Sequence, residues 1–406
     1  MMRANGVWKR GLQGFLAMSA ALSLAACNAS GGGRAARVEP PAPVAPAPPE
    51  AAPANGPTIG NGSVRVALLL PLTGPGQSAA AAQSMRNAAE LAMTELQPDF
   101  TILVKDDKGT AEGAREAAQQ AFGEGAELIM GPLFAPSVQA AGQVARQAGK
   151  PVIAFSTDTG VAARGVYLLS FLPQPEVDRV VDYAAGQGKR SFAALIPETT
   201  YGSVVEAQFR EAAARRGVRV VAVERYASGQ PQAAVGRIAP LISGGAPQAD
   251  ALFVPDTADG LQAVGEALQA AGYNPQRVKP VGTGVWNDPR TFRVAALQGG
   301  WFAAPDSGGF TAFTERYRAR FQAAPVRLAT LSYDAVTLAA ALARTQGSQR
   351  FTEPVLTSAT GFNGADGVFR FKPDGGNERG LAVQEVRNGG TATVSPAPKA
   401  LHGSGM

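Results

Sequence analysis

Short apolar runs that alternate with helical segments constrain the fold of this chain more than any other feature. The run VRVALLLPL begins at Val64, and the runs FTILVKDD, AELIMGP and KPVIAFS follow it along the chain. These runs are rich in Val, Ile and Leu, as buried strands are. The segments between them are Ala-rich, and Gly149 stands where a helix is expected to end. This alternation predicts an α/β protein in which helices cover both faces of a parallel sheet.

The same alternation starts again after Pro173 and Pro175. The apolar runs there include SFAALIP, ADALFVP and VKPVG, each followed or preceded by a helical segment. The chain therefore contains two similar α/β units. Near the C-terminus, alternating residues around a Gly-rich turn, from Gly367 onward, predict a hairpin. In open parallel sheets ligands bind at the carboxyl ends of the strands, and two such units can close around a small molecule.

The N-terminal residues have the order of a secretory signal. Three basic residues within the first ten precede an apolar stretch that is too short to span a bilayer, and small residues follow it. The tetrapeptide LAAC ending at Cys27 resembles the lipobox of bacterial lipoproteins, a family in which this cysteine is lipidated and becomes the mature N-terminus. The alternative is an ordinary signal that contains a buried cysteine. Cys27 is the only cysteine of the chain, so an internal disulfide is excluded.

The composition changes along the chain and gives the expected boundaries. Residues after Cys27 are rich in Pro and Ala and predict an extended tether, and the last residues, which include the single histidine His402, predict a disordered tail. The expected ranges are a signal peptide and lipobox over 1–27, a linker over 28–62, a first lobe over 63–172 and 305–350, a second lobe over 173–304 and 351–390, and a tail over 391–406.

Charge and residue types exclude several classes of function. Removal of the signal takes three basic residues from a formal net charge of +5, and no run of Lys and Arg suggests nucleic acid. The sequence contains no nucleophile elbow, P-loop or dinucleotide fingerprint. Asp106 and Asp107 are adjacent on a strand end, so their side chains point opposite ways and do not form a shared acid pair. The sequence therefore predicts no enzyme, no cofactor and no metal site.

The folded part resembles the type I periplasmic binding proteins of the leucine/isoleucine/valine-binding class. The resemblance extends from Val64 to about Arg387 and is carried by ALLLPLTGPGQS, VKDDKGTAEGAREAAQQAF, AELIMGPLFAPSVQAA, KPVIAFSTD and AALIPETTYGSVVEAQF. It implies two Rossmann-like lobes joined by three crossovers, which we place near Leu172, Ala304 and Arg350.

The resemblance also implies a ligand site in the cleft. Tyr201 matches an aromatic residue that packs on a bound amino acid, and Ser156 and Thr157 match a turn that holds a carboxylate. Gly284 replaces the acidic residue that usually pairs with the ammonium group, and Asp256 or Asp288 is expected to take over that pairing. The candidate ligand-binding residues are Ser137, Ser156, Thr157, Asp158, Tyr201, Asp256 and Thr257. Turn formation is the alternative for Ser137, Ser156 and Thr157, and helix-start packing is the alternative for Tyr201.

Two functions follow from these resemblances. The first is a non-enzymatic, lipid-anchored receptor that captures a small polar or amino-acid-like solute for an ABC-type permease. The second is a regulator of a peptidoglycan synthase, similar to the penicillin-binding-protein activator lipoproteins. The long tether and Asn28 favour the second, whereas the full coverage by the binding-protein family favours the first, which is our prediction. Either function places the chain in the periplasm of a Gram-negative bacterium, anchored through lipid to the outer or inner membrane.

Overall fold

The computed structural model describes residues 56–401. The expected signal peptide, Cys27, most of the expected linker and His402 lie outside the described residues. The first lobe is built from these elements: β1 (Thr58–Ile59), β2 (Val64–Leu70), α1 (Ser78–Leu96), β3 (Phe100–Asp106), α2 (Ala111–Gly123), β4 (Ile129–Met130), α3 (Ala135–Ala148), β5 (Val152–Ala154) and β6 (Val166–Leu168). Its six strands have the order β1-β3-β2-β4-β5-β6, and all pairs are parallel except β1 with β3.

The chain then passes into the second lobe. Its elements are α4 (Pro173–Gly186), β7 (Ser191–Pro197), α5 (Thr200–Arg216), β8 (Arg219–Tyr226), α6 (Gln232–Ile242), β9 (Ala251–Phe253), α7 (Ala258–Ala270), β10 (Lys279–Gly282) and β11 (Trp301–Ala304). Five of these strands are parallel, in the order β11-β10-β9-β7-β8. The predicted α/β architecture with two Rossmann-like lobes is confirmed.

The remaining elements return to the first lobe and then complete the second. They are α8 (Ser307–Phe321), α9 (Ala329–Thr345), α10 (Glu353–Leu356), β12 (Phe362–Gly364), β13 (Gly367–Phe371), β14 (Asn377–Arg379), β15 (Ala382–Arg387) and β16 (Gly390–Ser395). Strands β12 to β14 form a small antiparallel sheet. Strands β15 and β16 add an antiparallel edge to the second sheet, next to β11.

Alternating side chains along the first central strand explain its two helical layers. Val66 and Leu68 of β2 face a core that includes residues of α1 and α9, whereas Ala67 and Leu69 face residues of α2 and α3. The second lobe repeats this arrangement, since Leu195 of β7 packs towards α6 and α7 and its neighbours pack towards α4 and α5. A strand covered on both faces needs apolar residues at successive positions, which is why these runs are continuous.

The expected boundary between the lobes at residue 350 is wrong. Phe351, Leu356, Phe369 and Phe371 belong to the same buried core as strand β2 of the first lobe. The third crossover therefore lies after β14 rather than near Arg350, and Leu381 is the first residue beyond it in the second core. The aromatic residues of this segment bury apolar area on the first lobe, and that long-range contact leaves no local pattern in the sequence.

Two ends of the expected ranges also need correction. Residues 58–59, expected in the linker, form β1 because they pair with β3, with Thr58 opposite Leu103. Residues 391–395, expected in the tail, belong to β16, and Val394 packs against the core of the second lobe. Both segments are short edge strands, and pairing with an existing sheet stabilises them where their own composition does not.

Candidate functional site

A cavity of about 570 Å³ lies between the two lobes. It is bordered by turns that follow β5, β10 and β11, by the first turns of α4 and α5, and by the segment before α9. Its lining consists of Thr157, Asp158, Thr159, Phe171, Pro173, Glu176, Thr200, Tyr201, Val204, Gly284, Val285, Asn287, Ala304, Pro305 and Arg327. The carboxyl ends of parallel strands from both sheets meet here, which is where open α/β sheets bind ligands.

Glu176 supplies a buried acidic group that the sequence reasoning missed. It lies in the first turn of α4, where the helix dipole favours a negative charge, and is only 7% exposed. Its Oε2 accepts a hydrogen bond of 2.9 Å from the backbone N–H of Gly284. Burial raises the pKa of Glu176 to about 7, although this hydrogen bond and the charges of Arg327 and Arg379 act in the opposite direction.

Gly284 makes room for this carboxylate. A Cβ atom at residue 284 would lie 2.5 Å from Oε1 of Glu176, which is closer than side chains approach one another. Next to residue 284, where the resemblance implies an acidic side chain, the carboxylate that lines the cavity comes from Glu176 of α4, whereas Asp256 and Asp288 do not line it. The only local signal was an acidic residue just after two prolines, which also describes an ordinary helix start.

Tyr201 lines the cavity. Thr199 caps α5 by accepting a hydrogen bond of 2.9 Å from the N–H of Gly202, and this fixes the direction of the Tyr201 side chain at the helix start. The hydroxyl of Tyr201 lies 2.6 Å from Oγ1 of Thr283, next to Gly284. Burial, together with the nearby charge of Glu176, raises the pKa of Tyr201, so the hydroxyl stays neutral.

The turn after β5 forms the opposite wall of the cavity. Thr157 and Asp158 are exposed and line it, whereas Ser156 is buried and does not. Oγ of Ser156 accepts a hydrogen bond of 3.1 Å from the N–H of Asp158, and Oδ1 of Asp158 accepts one of 2.8 Å from the N–H of Gly160. Ser156 thus shapes the turn, and the hydroxyl of Thr157 has no hydrogen-bond partner within residues 56–401.

The structure does not bring the other candidate residues to the cavity. Ser137 is buried in the first turn of α3, and its hydroxyl donates to the carbonyl of Thr110 at 3.2 Å. Asp256 accepts hydrogen bonds of 2.7 Å from the hydroxyl of Tyr226 and from the N–H of Thr257, so both Asp256 and Thr257 belong to the start of α7. Asp288 is paired with the guanidinium of Arg290.

Arg327 is a second lining residue that sequence reasoning missed. Its guanidinium lies 4.2 Å from the ring centre of Phe171 and 4.6 Å from that of Phe310. Two hydrogen bonds of 2.6 and 3.0 Å join it to the carboxylate of Asp366. Arg327 is a single arginine in the loop between α8 and α9, and nothing in its neighbourhood in the sequence distinguishes it from a solvated surface residue.

Across residues 56–401, the helices are too short or too polar for any of them to traverse a bilayer. The same part of the chain contains no group of three or more His, Cys, Asp or Glu residues arranged to hold a metal ion.

Solved structures with this fold are numerous. A putative branched-chain amino acid ABC transporter protein from Rhodospirillum rubrum superposes with a TM-score of 0.72 at 20% identity, covering 82% of this chain and 100% of its own. A branched-chain amino acid ABC transporter periplasmic ligand-binding protein from Burkholderia xenovorans gives 0.67 at 16% identity, with coverages of 83% and 96%. A solute-binding protein of an ABC transporter from Rhodopseudomonas palustris, in complex with 3,4-dihydroxybenzoic acid, gives 0.59 at 20% identity, with coverages of 84% and 98%.

At this level of identity these likenesses show a shared fold. A search of curated proteins finds no match to the chain. A family described as periplasmic binding protein matches residues 63–391, which include both lobes and all three crossovers. The chain therefore belongs to the periplasmic binding protein family.

Proposed function

We propose that this chain is a non-enzymatic binding protein that captures a small, amino-acid-like solute between its two lobes and presents it to an ABC-type permease. The observation that carries the proposal is the cavity of about 570 Å³ at the strand ends of both sheets. Its volume lies in the range of small-molecule sites, and its lining combines apolar side chains with a few polar groups. Glu176 and Tyr201 from one lobe face Thr157 from the other, so a ligand would contact both lobes.

The chemistry of the lining supports binding rather than catalysis. The hydroxyl of Tyr201 is hydrogen-bonded to Thr283 and has a raised pKa. It therefore stays protonated, and a neutral hydroxyl is a poor base or nucleophile. Glu176 is held by the backbone of Gly284, and the guanidinium of Arg327 is held by Asp366. These groups are fixed in place to recognise a ligand, and none of them forms a nucleophile–base pair.

Relatives of the same fold agree with this proposal. One solved structure is a branched-chain amino acid transporter substrate-binding protein from Streptococcus pneumoniae in complex with isoleucine, at 19% identity and a TM-score of 0.57. The protein from R. palustris carries an aromatic acid instead. We therefore extend the proposal to amino acids and to molecules of similar size.

Thermal unfolding of the full-length chain tests the proposal. The ligand panel contains amino acids, small amines, small carboxylic acids and peptidoglycan fragments. A ligand present at about 100 times its dissociation constant adds about 2.7 kcal/mol to the free energy of unfolding. A shift that disappears in Tyr201→Ala, while the variant unfolds as cooperatively as the wild type, supports binding in the cavity. If no compound shifts the unfolding of the wild type, the receptor function is wrong.

A second candidate is regulation of a peptidoglycan synthase. It is favoured because Ser137 and Asp256, two positions assigned to ligand binding by resemblance, form internal hydrogen bonds instead. The Pro-rich residues after Cys27 also provide more reach than docking on a nearby permease needs. Pull-down of a purified synthase by the full-length chain, combined with the absence of any ligand-induced shift, would select this function over the first.

We also propose that the chain is a periplasmic lipoprotein, anchored through Cys27. The lipobox resemblance of LAAC supports this assignment. Lipid anchoring by several acyl chains is effectively permanent, because each buried methylene adds about 0.8 kcal/mol of membrane affinity. Fractionation of cells that express Cys27→Ser should recover the protein in the soluble periplasmic fraction. Retention of this variant in the membrane pellet would contradict the assignment.

A further inference from the structure

A second cavity, of about 420 Å³, lies in the first lobe at the opposite edge of the sheet from the interlobe cavity. Residues just before β4, β5 and β6 border it, whereas the turn that follows β5 borders the interlobe cavity. Its volume is within the range of small-molecule sites. We call it the rear cavity, and its lining is drawn from Glu127 and from residues 142–151, 164–167 and 348–353.

Helix α3 leaves room for the rear cavity because the residues on this face are small. Gly142, Arg146 and Gly149 all line the cavity, and their spacing places them on one face of a helix. A Cβ atom at residue 149 would have no other atom within 4 Å, so the space beside it is open. Arg146 is the only residue that reaches the cavity from α3 with more than a hydrogen atom for a side chain.

Both acidic residues of the lining are already paired. Oε2 of Glu353 lies 2.6 Å from Nε of Arg164, and Oε2 of Glu127 lies 3.3 Å from Nε of Arg350. Each carboxylate therefore has its own guanidinium. The negative charges of the lining are balanced without Arg146 and Lys150.

Two cationic side chains of the lining are left over. The guanidinium of Arg146 and the ammonium group of Lys150 are exposed and form no hydrogen bond or ion pair with residues 56–401. The last carbonyls of α3, which disfavour an anion, already accept hydrogen bonds from the N–H groups of Gly149 and Lys150. A guanidinium matches the oxygens of a phosphate, and an ammonium group adds a second charge. The rear cavity thus has two positive charges available for a ligand.

Tyr167 adds a neutral donor to the same lining. It is 1% exposed, and its hydroxyl has no hydrogen-bond acceptor within residues 56–401. Burial raises the pKa of Tyr167, and the charge of Glu353 acts in the same direction, so the hydroxyl keeps its proton. A buried hydroxyl without an acceptor costs free energy, which an oxygen of a ligand would recover. Val166 and Phe351 lie in the lining as well and supply apolar surface.

We propose that the rear cavity binds a small organic phosphate. Arg146 and Lys150 donate to the phosphate group, Tyr167 donates to an oxygen of the ligand, and the apolar body packs against Val166 and Phe351. A phosphate monoester carries a charge of about −1.5 to −2 at pH 7, which matches the two cations better than a carboxylate does. The site is separate from the interlobe cavity, so the inference goes beyond the proposed function.

Isothermal titration calorimetry on the full-length chain tests the inference with three probes. Phenyl phosphate contains both the charged group and the apolar body, inorganic phosphate contains the charged group alone, and phenol contains the body alone. We expect phenyl phosphate to bind at least tenfold more tightly than either of the other two.

Three substitutions assign the binding to this cavity. Arg146→Gln should weaken the binding of phenyl phosphate at least tenfold. Tyr167→Phe should weaken it severalfold, while the midpoint of thermal unfolding of the free protein does not fall, because the lost hydroxyl has no acceptor there. Arg344→Gln is the matched control: Arg344 is an exposed arginine in the last turn of α9, as Arg146 is in α3, but it lies outside the lining, so the affinity should not change.

Sedimentation with lipid vesicles identifies the source of the phosphate, since a soluble molecule and a lipid headgroup both carry this chemistry. The Cys27→Ser chain is used so that the proposed anchor does not contribute. Sedimentation with phosphatidylcholine vesicles only when they contain phosphatidic acid, and its loss when Arg146→Gln is added, would assign the cavity to a lipid headgroup. Binding of phenyl phosphate without sedimentation would assign it to a soluble phosphate.

The inference is overturned if phenyl phosphate binds no more tightly than phenol, or if Arg146→Gln leaves its affinity unchanged. An equal loss in Arg344→Gln would also overturn it, because the effect would then come from general surface charge. If neither phenyl phosphate nor vesicles with phosphatidic acid bind, the site is wrong. None of these results bears on the interlobe cavity, which the ligand panel and Tyr201→Ala test separately.

Discussion

The two walls of the cavity differ in how firmly they are held. The wall from the second lobe contains two polar side chains held by hydrogen bonds, with the buried Glu176 fixed by Gly284 and the half-buried Tyr201 fixed by Thr283. The wall from the first lobe includes the exposed turn after β5, in which Thr157 has no hydrogen-bond partner among the described residues. Preformed groups cost less ordering entropy on binding. We infer that the second lobe sets specificity and that the first lobe adapts to the ligand as the lobes close.

Substitutions in the two walls should have different effects on stability and binding. Changes in the wall of the second lobe should alter the stability of the free protein as well as ligand binding. Changes in the exposed turn after β5 of the first lobe should alter binding alone.

Gly284→Ala should be the most damaging of these changes. The new Cβ would lie 2.5 Å from Oε1 of Glu176, and a buried carboxylate cannot move without losing its backbone hydrogen bond. We expect the free energy of unfolding, measured by urea denaturation, to fall by about 3 kcal/mol. Gly236→Ala is the matched control, because a Cβ atom at residue 236 would have no other atom within 4 Å and the helix α6 should gain about 0.5–1 kcal/mol. Equal effects of the two substitutions would contradict the assignment of Gly284.

Stability should depend on pH through Glu176. Folding raises the pKa of this carboxyl group from about 4.5 to about 7, so the folded state binds a proton more tightly than the unfolded chain. The resulting stabilisation is complete below about pH 4.5 and is lost as the pH rises through 7. Between pH 5 and pH 8, the free energy of unfolding should fall by about 2 kcal/mol more in the wild type than in Glu176→Gln. Parallel pH curves for the two proteins would show that folding does not raise the pKa of Glu176.

Tyr201→Phe should have a smaller effect. The substitution removes the hydrogen bond to Thr283, whose side chain is fully buried, and should lower the free energy of unfolding by about 1 kcal/mol. Tyr183→Phe is the control, since its ring packs on Trp301 but its hydroxyl has no hydrogen bond within residues 56–401. Chemical denaturation should distinguish the two variants, and a loss as large in the control would assign the effect to ring packing.

Thr157→Ala should leave stability within about 0.5 kcal/mol of the wild type, because the side chain is exposed and unpartnered among the described residues. If Thr157 contacts the ligand when the lobes close, the affinity measured by calorimetry should fall severalfold. Thr311→Ala, an exposed threonine of α8 outside the cavity lining, should change neither quantity. A clear loss of stability in Thr157→Ala would mean that the turn after β5 is as firmly held as Glu176 and Tyr201 of the second lobe.

The site was only partly predictable. Tyr201, Thr157 and Asp158 were assigned to ligand binding through the resemblance, and all three line the cavity at the carboxyl ends of strands. Glu176 and Arg327 were missed because a charged residue at a helix start or in a loop has no local sign of burial. Ser137 and Asp256 were assigned by resemblance, and the structure shows them in internal hydrogen bonds instead.

Local residue patterns specify the parts of the fold that depend on residues adjacent in the chain. Continuous apolar runs such as that of Val64–Leu70 specify strands buried on both faces, and Gly149 specifies a helix end because glycine adopts its φ of 64° without strain. The alternation of these elements was sufficient for the α/β class and for two lobes.

Only contacts between distant parts of the chain place separate segments in one core or bring polar groups within hydrogen-bond distance. Phe369 and Phe371 joined the first lobe rather than the second, and residues 391–395 became a strand through pairing with β15. Glu176 and Gly284 came within hydrogen-bond distance although they are far apart in the sequence. Burial and pairing depend on residues that are close in space but distant in the sequence. The interactions that position these residues therefore leave no signal in the local pattern of the chain.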